Sequence, residues 1–124
     1  MSADPIRLAK AFEEFTDQWS PKAIASMNDY LVKLVRVEGE FVWHTHEDTD
    51  ELFLVVEGEL LIDLKGTDSV TLTEGDLFVV PAGTQHRPRA SAEAKVLLLE
   101  PATVVNTGDA GDSDLTSDVE WLRQ

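Results

Sequence analysis

The stretch GEFVWHTHEDTDELFLVVEG, residues 39–58, places two histidines and a glutamate between two glycines. Residues two apart in an extended chain point to the same side, so His44 and His46 can direct both imidazoles at one cation. Glu51 opens the apolar run that follows, and its carboxylate is a hard oxygen donor. The stretch therefore predicts one half of a metal site.

A second stretch, GDLFVVPAGTQH at residues 75–86, ends on His86, the last of the three histidines in the chain. Three imidazole nitrogens and one carboxylate form a donor set that suits a divalent transition metal, namely Fe, Mn, Co, Ni, Cu or Zn. A His-x-His pair is also found on protein surfaces and in cores, but its conjunction with Glu51, His86 and the spaced glycines favours ligation. Because protons compete for imidazole nitrogens, we expect metal occupancy to fall below about pH 6.

Composition excludes several other functions. The chain has 124 residues and no cysteine, which excludes disulfides, thiolate metal sites and cysteine nucleophiles. A formal net charge of −14 disfavours nucleic acid and anionic lipid surfaces as partners. No apolar run is long enough to span a membrane, and no secretory signal pattern opens the chain, so we expect a cytoplasmic protein. Glycine-rich phosphate-binding loops are absent from the sequence.

The spacing of apolar residues predicts one short helix followed by many strands. Asp4-Pro5 is typical of a helix start, and the apolar residues that follow recur at helical spacing. Six short apolar runs separated by turn residues then predict an antiparallel sandwich or barrel. The helical stripe consists of Leu8, Phe12, Phe15 and Trp19, and the strands are expected at residues 30–37, 52–56, 60–62, 70–72, 77–80 and 95–99.

We divide the chain into an N-terminal helical segment (1–20), a barrel (21–100) and a C-terminal arm (101–124). Residues 106–114 do not match the spacing of a calcium loop, so they are interpreted as solvated turns. Ser117-x-x-Glu120 predicts a final helical turn. The runs 52–56 and 60–62 are apolar at successive positions and need cover on both faces. The N-terminal helix, the arm or a second subunit can supply that cover, which favours a homodimer.

Strand alternation also predicts which side chains face the metal. Counting from Glu51 and His86, we expect Phe53, Val55 and Pro88 inside and Arg87 and Arg89 outside. Counting from the histidine pair, Glu40 and Val42 share its face, while Phe41, Trp43 and Thr45 point away. Trp43 is therefore interpreted as packing under the helix or at a dimer contact. With the acidic loop 47–50 beside the ligands, a neutral, cationic or mostly apolar small molecule is a better substrate than an anion.

The two stretches together resemble the signature motifs of the cupin superfamily, specifically the small single-domain bacterial cupins. The resemblance implies an all-β, double-stranded β-helix (jelly-roll) barrel, usually dimeric, with one divalent metal held by His44, His46, Glu51 and His86. Two positions depart from the family pattern. Four residues separate Gly39 from His44 where five are usual, and Ala90 replaces the asparagine that ends the second motif.

Cupins do not share one function, so the residues leave three hypotheses open. The first is a metal-dependent enzyme, of oxygenase or isomerase/lyase type, acting on a small organic molecule. The second is a non-enzymatic module that binds or senses a small molecule with the help of a bound metal. The third is a storage or stress protein with a structural metal, which the short length of the chain disfavours.

Overall fold

A long strand near the C-terminus holds the fold together. The computed structural model describes residues 4–110, 115 and 119–122. Besides a 3₁₀ turn at Gly108–Ala110, the elements are α1 (Leu8–Phe12), β1 (Lys22–Met27), β2 (Tyr30–Glu40), β3 (Glu51–Glu57), β4 (Glu59–Leu64), β5 (Val70–Thr73), β6 (Leu77–Val80), β7 (His86–Pro101) and β8 (Glu120–Trp121). The predicted all-β fold with one short helix is confirmed.

Strand β7 connects the two halves of the jelly-roll. It pairs antiparallel with β2 along most of its length, with β4 through its first residues and with β3 through its last. The sheet order is β5-β4-β7-β2-β1-β8, and β3 branches from β7 and pairs with β6 on its other edge. Because β7 pairs with β4 at its start and with β3 at its end, side chains from both ends of the strand face the same interior.

The interior and the outer face of the sheet have separate apolar clusters. Phe53 and Val55 are buried in the interior, as strand alternation predicts. On the outer face, Phe12 and Phe15 pack against Ile24 and Leu34. The N-terminal segment therefore supplies part of the cover that the two-sided apolar strands need.

The N-terminal helix differs from its prediction. It begins at Leu8 after an N-cap at Arg7 that makes no side-chain cap bond, so Asp4-Pro5 does not start it. It ends at Phe12, and Trp19 lies beyond it with a φ of 59°, in the left-handed region. The main-chain N–H of Trp19 donates to the Arg36 carbonyl at 2.8 Å. Pairing with β2 therefore prevails over helical spacing.

The C-terminal region also differs from its prediction. Glu120 and Trp121 form β8, which pairs parallel with Lys22 and Ala23 of β1, so these two residues extend the sheet and do not form a helical turn. Ser117, the expected cap, lies outside the described residues. Strand β1 had no counterpart among the predicted strands, and β7 is much longer than the expected 95–99. No helix in the described part of the chain is long and apolar enough to cross a membrane.

Candidate metal centre

The structure brings all four predicted ligand residues together. His44, His46, Glu51 and His86 are buried, and one potential ligand atom from each lies within 4.8 Å of the others. They come from three places in the chain: the loop after β2, the first residue of β3 and the first residue of β7. Such a group of three imidazoles and a carboxylate could hold a metal ion.

Backbone pairing fixes the histidine loop. The main-chain N–H of His44 donates to the His86 carbonyl at 3.0 Å, and the N–H of His86 donates back to the His44 carbonyl at 2.9 Å. The Gly83 N–H donates to the His46 carbonyl at 2.9 Å. Residues 41–50 form no regular strand, so these bonds, and not strand alternation, direct the two side chains to one point.

The hydrogen bonds of the imidazoles leave nitrogen lone pairs available. Nδ1 of His44 lies 3.0 Å from the Val42 carbonyl and Nδ1 of His86 lies 2.9 Å from the Thr84 carbonyl. A carbonyl only accepts, so each Nδ1 carries the proton and each Nε2 presents a lone pair, which in His86 lies 3.2 Å from Glu51 Oε1. Nε2 of His46 is buried without a hydrogen-bond partner. These are the features expected of imidazoles prepared for a cation.

Burial keeps the three imidazoles neutral. The pKa of His44 is lowered to about 3, chiefly by burial and then by the neighbouring His86. Burial likewise lowers the pKa values of His46 and His86. Protons therefore compete with a metal for these nitrogens only at more acidic pH than the unperturbed imidazole value implies. The loss of metal occupancy below about pH 6 stays a prediction.

A buried ion pair beside the site was not anticipated from the sequence. Lys33 Nζ donates to Glu100 Oε1 at 2.9 Å, and both side chains are almost completely buried. The pKa of Glu100 is raised to about 8, first by burial and then by the Glu51 carboxylate, which together outweigh Lys33. Burial also raises the pKa of Glu51. The signal available in the sequence was a lysine and a glutamate within otherwise apolar strands.

The arm reaches the histidine loop. Residues 106–110 were interpreted as solvated turns, but Thr107 is fully buried. Asp109 Oδ1 accepts from the Thr45 N–H at 2.7 Å, and the Asp109 N–H donates to the Thr45 carbonyl at 3.1 Å. A Cβ on Gly108 would lie 2.6 Å from the Thr45 carbonyl oxygen and 3.1 Å from His44 Cδ2. The arm thus packs directly on the residue between two candidate ligands.

An apolar cavity adjoins the centre. Its accessible volume is about 40 Å³, room for roughly three water molecules. Pro88 and Phe53 line it, as predicted. Phe41 also lines it, which corrects the expectation that this ring points away; β2 ends at Glu40, so alternation does not extend to Phe41. Trp19 completes the wall by stacking on Phe41, with ring centroids 4.9 Å apart.

The two arginines nearest the ligands bind a carboxylate outside the cavity. Arg87 and Arg89 both donate to Asp63, at 2.8 to 3.0 Å. The Arg87 guanidinium also lies 5.1 Å from the centroid of the Trp43 ring. Trp43 is partly exposed and does not pack under the helix. The outward direction predicted for both arginines is confirmed, because neither lines the cavity.

Comparison with known proteins identifies the family. A model described as "Cupin domain" matches residues 31–101, which include every candidate ligand. The chain belongs to the cupin family. A solved cupin-2 domain protein from Shewanella frigidimarina is 49% identical, with a TM-score of 0.76 over 77% of this chain and 93% of its own. The observed jelly-roll is therefore the cupin fold that the motifs predict.

The curated relatives include an uncharacterised protein and a dioxygenase. An uncharacterised protein of Bacillus subtilis, YdbB, is 44% identical over 63% of this chain and 69% of its own length. A 3-hydroxyanthranilate 3,4-dioxygenase of Brucella anthropi is 32% identical over 61% of this chain. This chain covers only 41% of that dioxygenase. The similarity therefore concerns the cupin domain and not the whole enzyme.

Proposed function

We propose that this cupin is a metal-dependent enzyme that acts on a small organic molecule, with dioxygenase chemistry as the leading reaction type. The observation that carries the proposal is the buried convergence of three imidazoles and a carboxylate beside an apolar cavity. A dioxygenase among the curated relatives supports the reaction type. Isomerase or lyase chemistry at the same centre is the second reading.

In this proposal His44, His46, Glu51 and His86 hold one divalent transition metal. Fit of the residues is supported by the unpartnered Nε2 of His46 and by the Nδ1 bonds that fix His44 and His86. When bound, such a metal supplies Lewis acidity and, for iron, manganese or copper, electrons for dioxygen. The protein itself contributes orientation of the ligands and exclusion of water.

The cavity wall indicates the class of substrate. Apart from the candidate ligands, Glu100 and Asn106, the lining side chains are apolar or aromatic. Arg87 and Arg89 bind Asp63 outside the cavity, and no arginine among the described residues lines it, so the wall offers no guanidinium to an anion. A small neutral or cationic molecule with an apolar surface matches the polarity of this wall. A binding or sensing module would use the same cavity, and it is distinguished from an enzyme by ligand-dependent stability without turnover.

Elemental analysis of protein purified without chelator tests the metal site. We expect about one equivalent of a transition metal per chain in the native protein, and none in a His44→Ala, His86→Ala double variant. An Asp29→Asn variant, altered at an exposed turn far along the chain from the ligands, is the control and should keep the metal. Native protein that neither carries nor binds a metal would disprove the site.

Oxygen uptake across a panel of small aromatic molecules then separates the enzyme from the binding module.

We also propose that the cupin is a homodimer. Five side chains form a contiguous apolar surface across β6, β3 and β7, because Leu52 pairs with both Val79 and Leu99, and Leu54 pairs with Leu77. Leu77 is 55% exposed and Val79 41%. The N-terminal segment covers the neighbouring part of this face but not these residues. A second copy would bury the same surface on both subunits, which is how two-fold dimers form.

Cytoplasmic location and the division of the chain into segments 1–20, 21–100 and 101–124 stay predictions.

A further inference from the structure

Glu51 has a carboxylate neighbour opposite it in the sheet. Strands β3 and β7 pair Leu52 with Leu99 and Phe53 with Leu98, so the register places Glu51 opposite Glu100. Directly opposed side chains on one face of an antiparallel pair have Cβ atoms about 5 Å apart. Both side chains are buried and both line the cavity, so they share its interior face. The placement of two opposed carboxyl groups in a core needs a physical explanation, because burying charged groups is unfavourable.

Lys33 fixes the orientation of Glu100. It lies on β2, two residues along from the partner of Glu100, and it donates to Oε1 at 2.9 Å. Oε2 of Glu100 is buried and accepts no hydrogen bond from any described donor. The hydrogen bond from Lys33 to one oxygen restricts the Glu100 carboxyl group, which lies close enough to Glu51 to interact with it directly.

We propose that Glu100 is a positioning residue for the metal centre. A hydrogen bond in which the Glu100 and Glu51 carboxyl groups share one proton fixes the rotamer in which Glu51 faces the three histidines and contacts His86 Nε2 at 3.2 Å, and Lys33 anchors Glu100. Partners of this kind behind a metal ligand set its orientation and affinity. The inference rests on the proposed metal site, but it concerns how Glu51 is held and not which reaction follows.

The conservative variant separates positioning from packing. In Glu100→Gln, the amide oxygen can accept from Lys33 while the amide NH₂ donates to Glu51. In the Lys33→Met, Glu100→Leu double variant, position 100 can no longer hydrogen-bond Glu51, and neither Lys33 nor Glu100 is left as an unpaired charge. Leu34→Ala is the matched control, because Leu34 is fully buried in the outer-face cluster and does not line the cavity.

Cobalt(II) titration, followed by visible absorption of the bound ion, is the test. We expect Glu100→Gln to bind Co(II) within about threefold of the unaltered protein and with the same spectrum, and the double variant to bind it about 10- to 100-fold more weakly with an altered spectrum. Leu34→Ala should lower the melting temperature without changing the spectrum.

The inference is overturned by wild-type affinity and spectrum in the double variant, by equal losses in both Glu100 variants, or by an unaltered protein that binds no Co(II). Retained binding without turnover of any substrate would count against the proposed enzyme alone.

Discussion

Replacing Gly108 by alanine should damage the metal centre from outside it. The φ of Gly108 is +52°, in the left-handed region, and a Cβ there would lie 2.6 Å from the Thr45 carbonyl oxygen. That oxygen belongs to the backbone and cannot move without the loop. Because Thr45 lies between His44 and His46, any displacement of the arm or the loop changes the positions of two candidate ligands.

The size of the effect follows from the contacts that must change. A left-handed backbone at a residue with a Cβ destabilises by about 1–2 kcal/mol. The clash must also lengthen the Thr45–Asp109 hydrogen bonds, which are 2.7 and 3.1 Å long, and each contributes about 1 kcal/mol. We therefore expect Gly108→Ala to lower the free energy of unfolding by about 3–4 kcal/mol in total.

Gly66→Ala is the matched control. Gly66 has a φ of +81°, and a Cβ added to it would meet no atom within 4 Å. It therefore reports backbone strain without the clash and should lower the free energy of unfolding by about 1–2 kcal/mol. Urea unfolding of chelator-treated protein measures both variants, and titration with Zn(II) or Co(II) measures metal affinity.

Metal affinity should distinguish the two alanine variants more sharply than stability does. Gly108→Ala should bind about 10- to 100-fold more weakly, as when a residue supporting a ligand is lost, whereas Gly66→Ala should bind as the unaltered protein does. Equal stability losses and equal metal affinities in the two variants would refute the reasoning. The arm would then lie beside the histidine loop without holding it.

Three further predictions concern charge and assembly. Burial raises the pKa of Asp63, but hydrogen bonds from two arginines and Ser69 outweigh burial and hold the pKa below 3.8. The contribution of Asp63 to stability is therefore full above about pH 4 and is lost as the pH falls through the lowered pKa. The difference in melting temperature between the unaltered protein and Asp63→Asn should shrink on acidification, and a constant difference from pH 7 to pH 2 would contradict this account. Lys33→Met alone should lower the free energy of unfolding in urea by about 1–3 kcal/mol, because the buried Glu100 carboxyl group loses its hydrogen-bond donor. Adding Glu100→Leu should recover most of the loss, and a double variant as unstable as the single one would contradict this reason. Leu77→Glu should convert the proposed dimer to a monomer in analytical ultracentrifugation without a large change in melting temperature, while a dimer that survives this change does not use the β6 surface.

The ligand motif was readable from the sequence because ligand chemistry restricts residue type. Only three histidines occur in the chain, two of them form a His-x-His pair, and no cysteine offers an alternative donor. Strand alternation in β3 was also sufficient to place Phe53 and Val55 inside, because that strand is regular along its length. Membership of the cupin family and the jelly-roll fold both follow from the same two motifs.

Side chains in irregular backbone were not readable in the same way. Phe41 was expected to point away and instead lines the cavity, since the period of two ends with β2 at Glu40. Trp19 was assigned to a helix that ends at Phe12, because helical spacing continues in the sequence after the hydrogen bonds of the helix have stopped. The local sequence pattern reflects the intrinsic helix or strand propensity of a segment, whereas pairing with a distant strand decides which backbone conformation the segment adopts.

The sequence by itself determined the residue types of the centre and the strand that Glu51 opens. Tertiary structure alone decided that Glu100 stands opposite Glu51 and is bound by Lys33, because register between β3 and β7 relates residues far apart in the chain. It also decided that Gly108 packs on the histidine loop. These contacts depend on which distant segments meet, and the free energy that selects those meetings comes from the whole core and not from any local stretch.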